Sequence, residues 1–107
     1  MQAQSLWIDG AARAAERGAT FPTADPTTGG TLVQLARGSA TDIDAAVASA
    51  VKAQALWRGL DPNEKARILW KVGEAILANR EELARLEAID CGKPISNALA
   101  IDIPRTA

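Results

Sequence analysis

The chain has 107 residues, enough for one small domain that buries roughly two-thirds of the surface its unfolded form exposes, and its 12 Lys and Arg stand against 13 Asp and Glu. That balance offers no basic excess to a phosphate backbone and argues against nucleic acid as a partner. No run approaches the ~20 apolar residues of a membrane span, Met1 to Ser5 is polar where a secretory signal is basic and then apolar, and the single Cys91 excludes an internal disulfide or a cysteine zinc cluster, so cytoplasm is the expected location.

Residues 6–9 read as a short strand, Asp9-Gly10 as a tight hairpin turn and the small residues after it as a returning strand. The third strand expected is Thr31-Leu32-Val33-Gln34-Leu35-Ala36, rich in β-branched and aliphatic residues. It is set off by Asp25-Pro26-Thr27-Thr28-Gly29-Gly30, where proline fixes φ and glycine permits left-handed backbone. These pieces form a small antiparallel unit over residues 1–38, and helices fill 39–107.

Thr41 is placed to accept the first free amides of a helix, with Asp42 and Asp44 in its first turn against the positive end of the dipole. That helix runs to about Arg58. Its apolar residues Ile43, Val47, Ala50 and Trp57 form one stripe, and Gly59 and Asp61-Pro62 end it. Asp61 caps a second helix, with Pro62 at its first position and Glu64 three residues past the cap in a reciprocal capping arrangement. Two apolar rows follow, Leu69/Val72/Ile76 and Ala66/Trp70/Gly73/Leu77, a sector wide enough for burial on two sides. Asn79 with Glu82 offers another cap, and Leu83, Leu86 and Ile89 carry a third helix to Gly92, where a left-handed residue followed by Pro94 terminates it. A fourth helix spans residues 96–107, kinked at most by Pro104. It has no terminating cap and reads as interrupted by the chain boundary.

The catalytic inventory is thin. With no histidine, the commonest general base and the usual nitrogen ligand are missing. Cys91 falls near a helix C-terminus, where the dipole disfavours a thiolate, and reads as a partly buried structural cysteine. Gly29-Gly30 precedes a strand rather than a helix and is a plain turn, not a phosphate cradle. Glu81, Glu82 and Glu87 alternate with Arg80 and Arg85 on a solvated face. Trp7, Trp57 and Trp70 lack a basic groove and read as core anchors or as contacts to protein outside this chain.

Leu6-Trp7-Ile8-Asp9-Gly10, Ala24-Asp25-Pro26-Thr27-Thr28-Gly29, the run from Thr41 to Ala50, and Leu86-Glu87-Ala88-Ile89-Asp90-Cys91-Gly92-Lys93-Pro94 together resemble the N-terminal part of the NAD(P)-dependent aldehyde dehydrogenases, of the betaine or semialdehyde dehydrogenase kind. The resemblance covers nearly the whole chain. It implies an α/β parent in which this segment supplies N-terminal antiparallel strands and three to four helices flanking the dinucleotide-binding domain. It further implies NAD or NADP as cofactor, a small aldehyde as substrate, a homo-oligomer (dimer or tetramer), and the remainder of the dehydrogenase chain as the immediate partner.

In that family a cysteine thiolate attacks the aldehyde, hydride passes to NAD(P), and a glutamate-activated water releases the acid. Nucleophile, base and dinucleotide-binding turn all lie beyond residue 107, so this segment holds no catalytic or cofactor-binding residue. Cys91 matches a helix end, not the family's active-site loop. The resemblance also implies a monovalent cation, K+ or Na+, held by oxygens of Thr23, Ala24 and Asp90, with a further ligand beyond this chain. Asp25 stands where asparagine is common, and Cys91 where threonine or asparagine is common. Two other readings compete with a dehydrogenase segment: a self-contained helical interaction domain using the wide apolar sector of the second helix, and a truncated or split product that assembles with a catalytic half.

Overall fold

In the computed structural model, which describes residues 4–107, Asp9 and Gly10 both take positive φ, 56° and 73°. This is the backbone a two-residue turn needs to match strand twist, so β1 (Leu6–Ile8) folds back on β2 (Ala11–Arg13) with Ile8 opposite Ala11. A single 3-10 turn, Glu16–Gly18, leads to β3 (Thr20–Ala24), which pairs antiparallel with β4 (Thr31–Ala36). Sequence reading missed β3 because Pro22 sits inside it, and proline cannot donate to a ladder. The strand tolerates it because β3 has only β4 beside it among the described residues.

Ser39, not Thr41, caps α1 (Ala40–Gly59). Its hydroxyl accepts the Asp42 N–H at 3.2 Å, while the Asp42 carboxylate accepts the Ser39 N–H at 3.0 Å. The reciprocal box therefore starts the helix two residues earlier than expected and leaves Asp44 past the first turn. Asp42 does more than meet the dipole. Only 3% exposed, it also accepts the Glu16 N–H at 2.9 Å and so ties the 3-10 turn to the start of α1. Those bonds hold its carboxyl below the ordinary 3.8, the Glu16 amide first and the Ser39 amide next.

The second helix, α2 (Pro62–Ala78), starts where predicted, but the Asp61 carboxylate accepts the Asn63 N–H at 2.8 Å instead of forming a reciprocal box with Glu64. Asn79 makes no side-chain cap for α3 (Arg80–Cys91); its Nδ2 donates to the Ala75 carbonyl at 2.8 Å and closes α2 instead. The helical tail comprises Ile95–Asn97, a π-helical stretch Ala98–Asp102 and a last turn Ile103–Thr106. It begins one residue before the expected start and carries an irregularity the sequence reading did not foresee.

The chain forms two compact units. One comprises the residues up to Ala24 with Thr31–Leu60, that is, both strand pairs and α1; the other comprises Asp25–Gly30 with Asp61–Ala107. In the first, Ile8, Ala15 and Val33 are buried; in the second, Ala84 and Ala98 are fully buried. No large side chain is fully buried among the described residues. Trp7 is 72% exposed, Trp70 74% and Leu56 75%, so the tryptophans do not anchor an interior here. Ile43, Val47 and Val51 of α1, and Leu69, Val72 and Leu77 of α2, are likewise exposed. Burying any one such side chain would contribute about 1.5–3 kcal/mol. The apolar faces predicted for both helices are thus present and uncovered in this chain.

Candidate functional site

α3 ends because Gly92 takes a left-handed φ of 72° and its N–H closes on the Ala88 carbonyl at 2.9 Å. A Cβ at Gly92 would lie 2.9 Å from Pro26 Cγ, so glycine is required twice, for its φ and for its lack of a side chain. The segment that meets it is built locally. The Asp25 carboxylate accepts the Thr27 N–H at 2.7 Å, the Asp25 carbonyl accepts the Gly29 N–H at 2.7 Å, and the Asp25 N–H donates to the Gly30 carbonyl at 2.9 Å. The Thr27 amide is the main reason the Asp25 carboxyl sits below its ordinary value. Two motifs 66 positions apart, Asp25-Pro26 and Cys91-Gly92-Lys93, therefore meet in one joint (92 − 26 = 66).

Lys93 carries the charge of that joint. Its Nζ donates to Asp102 Oδ2 at 2.7 Å and to Glu87 Oε1 at 3.2 Å, with all three side chains about one-third exposed. The two carboxylates, Asp102 first, raise the lysine above its ordinary 10.5, so it is a fixed cation at neutral pH. Glu87 is thereby engaged, and Glu81 and Glu82 are exposed, so these three glutamates do not compose an acid and base pair.

Cys91 is exposed, not partly buried as expected. Its thiol is pushed above the ordinary value, first by lost hydration and then by the negative charges of Glu87 and Asp90, against which Lys93 acts only in part. A protonated thiol is a poor nucleophile.

Thr23 and Ala24 close β3 in the first unit, at a register shift where Thr23 faces Val33 but Ala24 faces Thr31. Asp90 lies exposed in the last turn of α3 in the second unit. Among the described residues no group of three or more His, Cys, Asp or Glu could hold a metal ion. Three structural residues escaped sequence reading. Asp42 reaches back to the Glu16 amide, Lys93 joins Glu87 of α3 to Asp102 of the tail, and Gly73 accommodates the backbone of Ala107, whose oxygen would lie 2.6 Å from an added Cβ. Gly73 left a signal as a glycine inside an otherwise regular helix, and Asp42 as an aspartate three residues past Ser39.

The profile of the Aldehyde dehydrogenase family matches residues 13–107, and the chain belongs to that family. DhaS of Bacillus subtilis (strain 168), a protein assigned as an aldehyde dehydrogenase, is 41% identical over 103 residues, which cover 94% of this chain and 21% of DhaS. Among solved structures, PnpE from Pseudomonas sp. WBC-3 superposes with a TM-score of 0.93 at 38% identity, over 99% of this chain and 22% of its own. Indole-3-acetaldehyde dehydrogenase, solved with NAD+, superposes with a TM-score of 0.90 at 37% identity, over 94% and 21%. The chain therefore spans about a fifth of the length of these relatives and corresponds to their N-terminal part. The short antiparallel strands followed by helices agree with the α/β architecture expected from sequence. No helix among the described residues is long and apolar enough to cross a membrane.

Proposed function

We propose that this chain is the N-terminal part of an NAD- or NADP-dependent aldehyde dehydrogenase, which oxidises an aldehyde to a carboxylic acid, with water supplying the second oxygen and the cofactor accepting hydride. The observation that carries the reading is a family match over nearly the whole chain, while the chain spans a fifth of its relatives. NAD+ in the similar indole-3-acetaldehyde dehydrogenase favours NAD over NADP. The segment itself acts as scaffold: it carries no nucleophile, base or dinucleotide turn. Its exposed apolar helix faces suit a covering layer supplied by the rest of the polypeptide.

The test compares the 107-residue chain with the same sequence extended through its reading frame, each mixed with an aliphatic aldehyde and NAD or NADP. Reduced nicotinamide is expected from the extended polypeptide and none from the chain alone. A reading frame that encodes no further family sequence, or an extended polypeptide inactive on aliphatic, aromatic and amino aldehydes alike, overturns the proposal in favour of a helical interaction domain or a remnant. Light scattering of the extended polypeptide is expected to give a dimer or tetramer.

The same reading assigns a monovalent cation, K+ or Na+, to oxygens of Thr23, Ala24 and Asp90. Its supports are the interrupted ladder at Thr23 and Ala24, and the C-terminal helix position of Asp90, where partial negative charge favours a cation. Replacing K+ by tetramethylammonium at fixed ionic strength should lower the thermal midpoint of the extended polypeptide; an unchanged midpoint removes the cation.

A further inference from the structure

The tail departs from α-helical winding at one place. Ala98–Asp102 winds as a π-helix, and the Ile103 N–H reaches five residues back to the Ala98 carbonyl. Pro104 follows, with no N–H to donate and a ring that crowds the carbonyl four residues earlier. Proline explains why a regular ladder fails, but not why the chain adopts a π turn instead of a kink or a break. A one-residue shift of helical register rotates a side chain by roughly 100° about the axis. In the π register Asp102 faces Lys93 at 2.7 Å, and Lys93 simultaneously holds Glu87 of α3 at 3.2 Å. Ala98, where the π stretch begins, is fully buried, and the Ala107 backbone at the far end of the tail packs over Gly73 of α2.

We propose that Lys93 is a positioning residue: by bridging Glu87 and Asp102 it selects the π register of the tail and so fixes the direction in which the chain continues from this unit. That the direction matters to an enzyme rests on the proposed function; that Lys93 sets it does not. The alternative is that Pro104 alone imposes the π turn and the ion pairs merely accompany it.

Hydrogen exchange in the full polypeptide carrying this chain separates the two. Lys93→Met should speed exchange of the amides of residues 99–103 and 105–107 by about fivefold, the scale of a well-oriented, partly exposed ion pair, while α2 amides keep their protection. Asp102→Asn should have the same effect, the double variant should add little to either, and Lys93→Arg should restore protection to within about twofold. Unchanged tail exchange in Lys93→Met, or fully additive effects in the double variant, would overturn the proposal and leave Pro104 as sole cause. Exchange requires no turnover, so its outcome stands even if the extended polypeptide proves inactive on aldehydes.

Discussion

Each unit is held together internally by its own means. In the first, one buried carboxylate gathers three donors: Asp42 accepts from the Glu16 amide, the Ser39 amide and the Ser39 hydroxyl, and α1 is further tied to the β1–β2 turn by Ser49 donating to Asp9 at 3.1 Å. In the second, cohesion comes from missing side chains. Gly92 admits Pro26, Gly73 admits the backbone at Ala107, and the small Ala84 and Ala98 are its fully buried apolar residues. Adding a partner strengthens the first kind of junction; adding any atom weakens the second.

The largest effect should follow from breaking the second unit. Gly92→Val forces a β-branched residue into positive φ and a Cβ against Pro26, and should cost the chain about 2–4 kcal/mol in urea unfolding. A cost under about 1 kcal/mol would show that the joint yields easily and that close approach is not what holds it. Gly73→Leu comes next. The helix gains propensity of about 1 kcal/mol, but the collision with Ala107 outweighs it, for a net loss of about 1–2 kcal/mol with loss of tail protection in hydrogen exchange.

The first unit should break instead on acid. A depressed Asp42 carboxyl contributes stability that is present above its unfolded value near 3.8 and disappears as pH falls through the lower folded value. Asp42→Asn should therefore lower the thermal midpoint at pH 7 and flatten the acid limb below pH 4, whereas an acid limb as steep as that of the parent sequence would mean another carboxylate controls it. Asp61→Ala, removing an exposed cap, should cost about 0.5–1 kcal/mol. The smallest effect, within about 0.5 kcal/mol, is expected for Glu81→Gln on the solvated face of α3.

What the sequence made legible was local. The Asp9-Gly10 turn, the Pro62 start and the Gly92 stop each depend on residues within one turn of chain, and all three stand as expected. The Ser39 cap was equally local but was passed over for Thr41, because aspartate took the place of the usual glutamate in the reciprocal box. β3 stayed hidden behind Pro22, since the residue that argues against a strand cannot reveal that the strand lies at an edge. Lys93 could not be paired from sequence at all. Its partner Asp102 lies at the end of a π-helical stretch that the sequence pattern did not reveal.

α1 and α2 each begin on a side-chain cap and α3 ends on a left-handed glycine, while much of the apolar surface of α1 and α2 is exposed. This separates two demands on the sequence. Winding draws on local signals within each helix, whereas burial draws on surfaces that local signals do not supply. Trp7, Leu56 and Trp70 mark where these two demands part, since each is exposed on an element that is already formed.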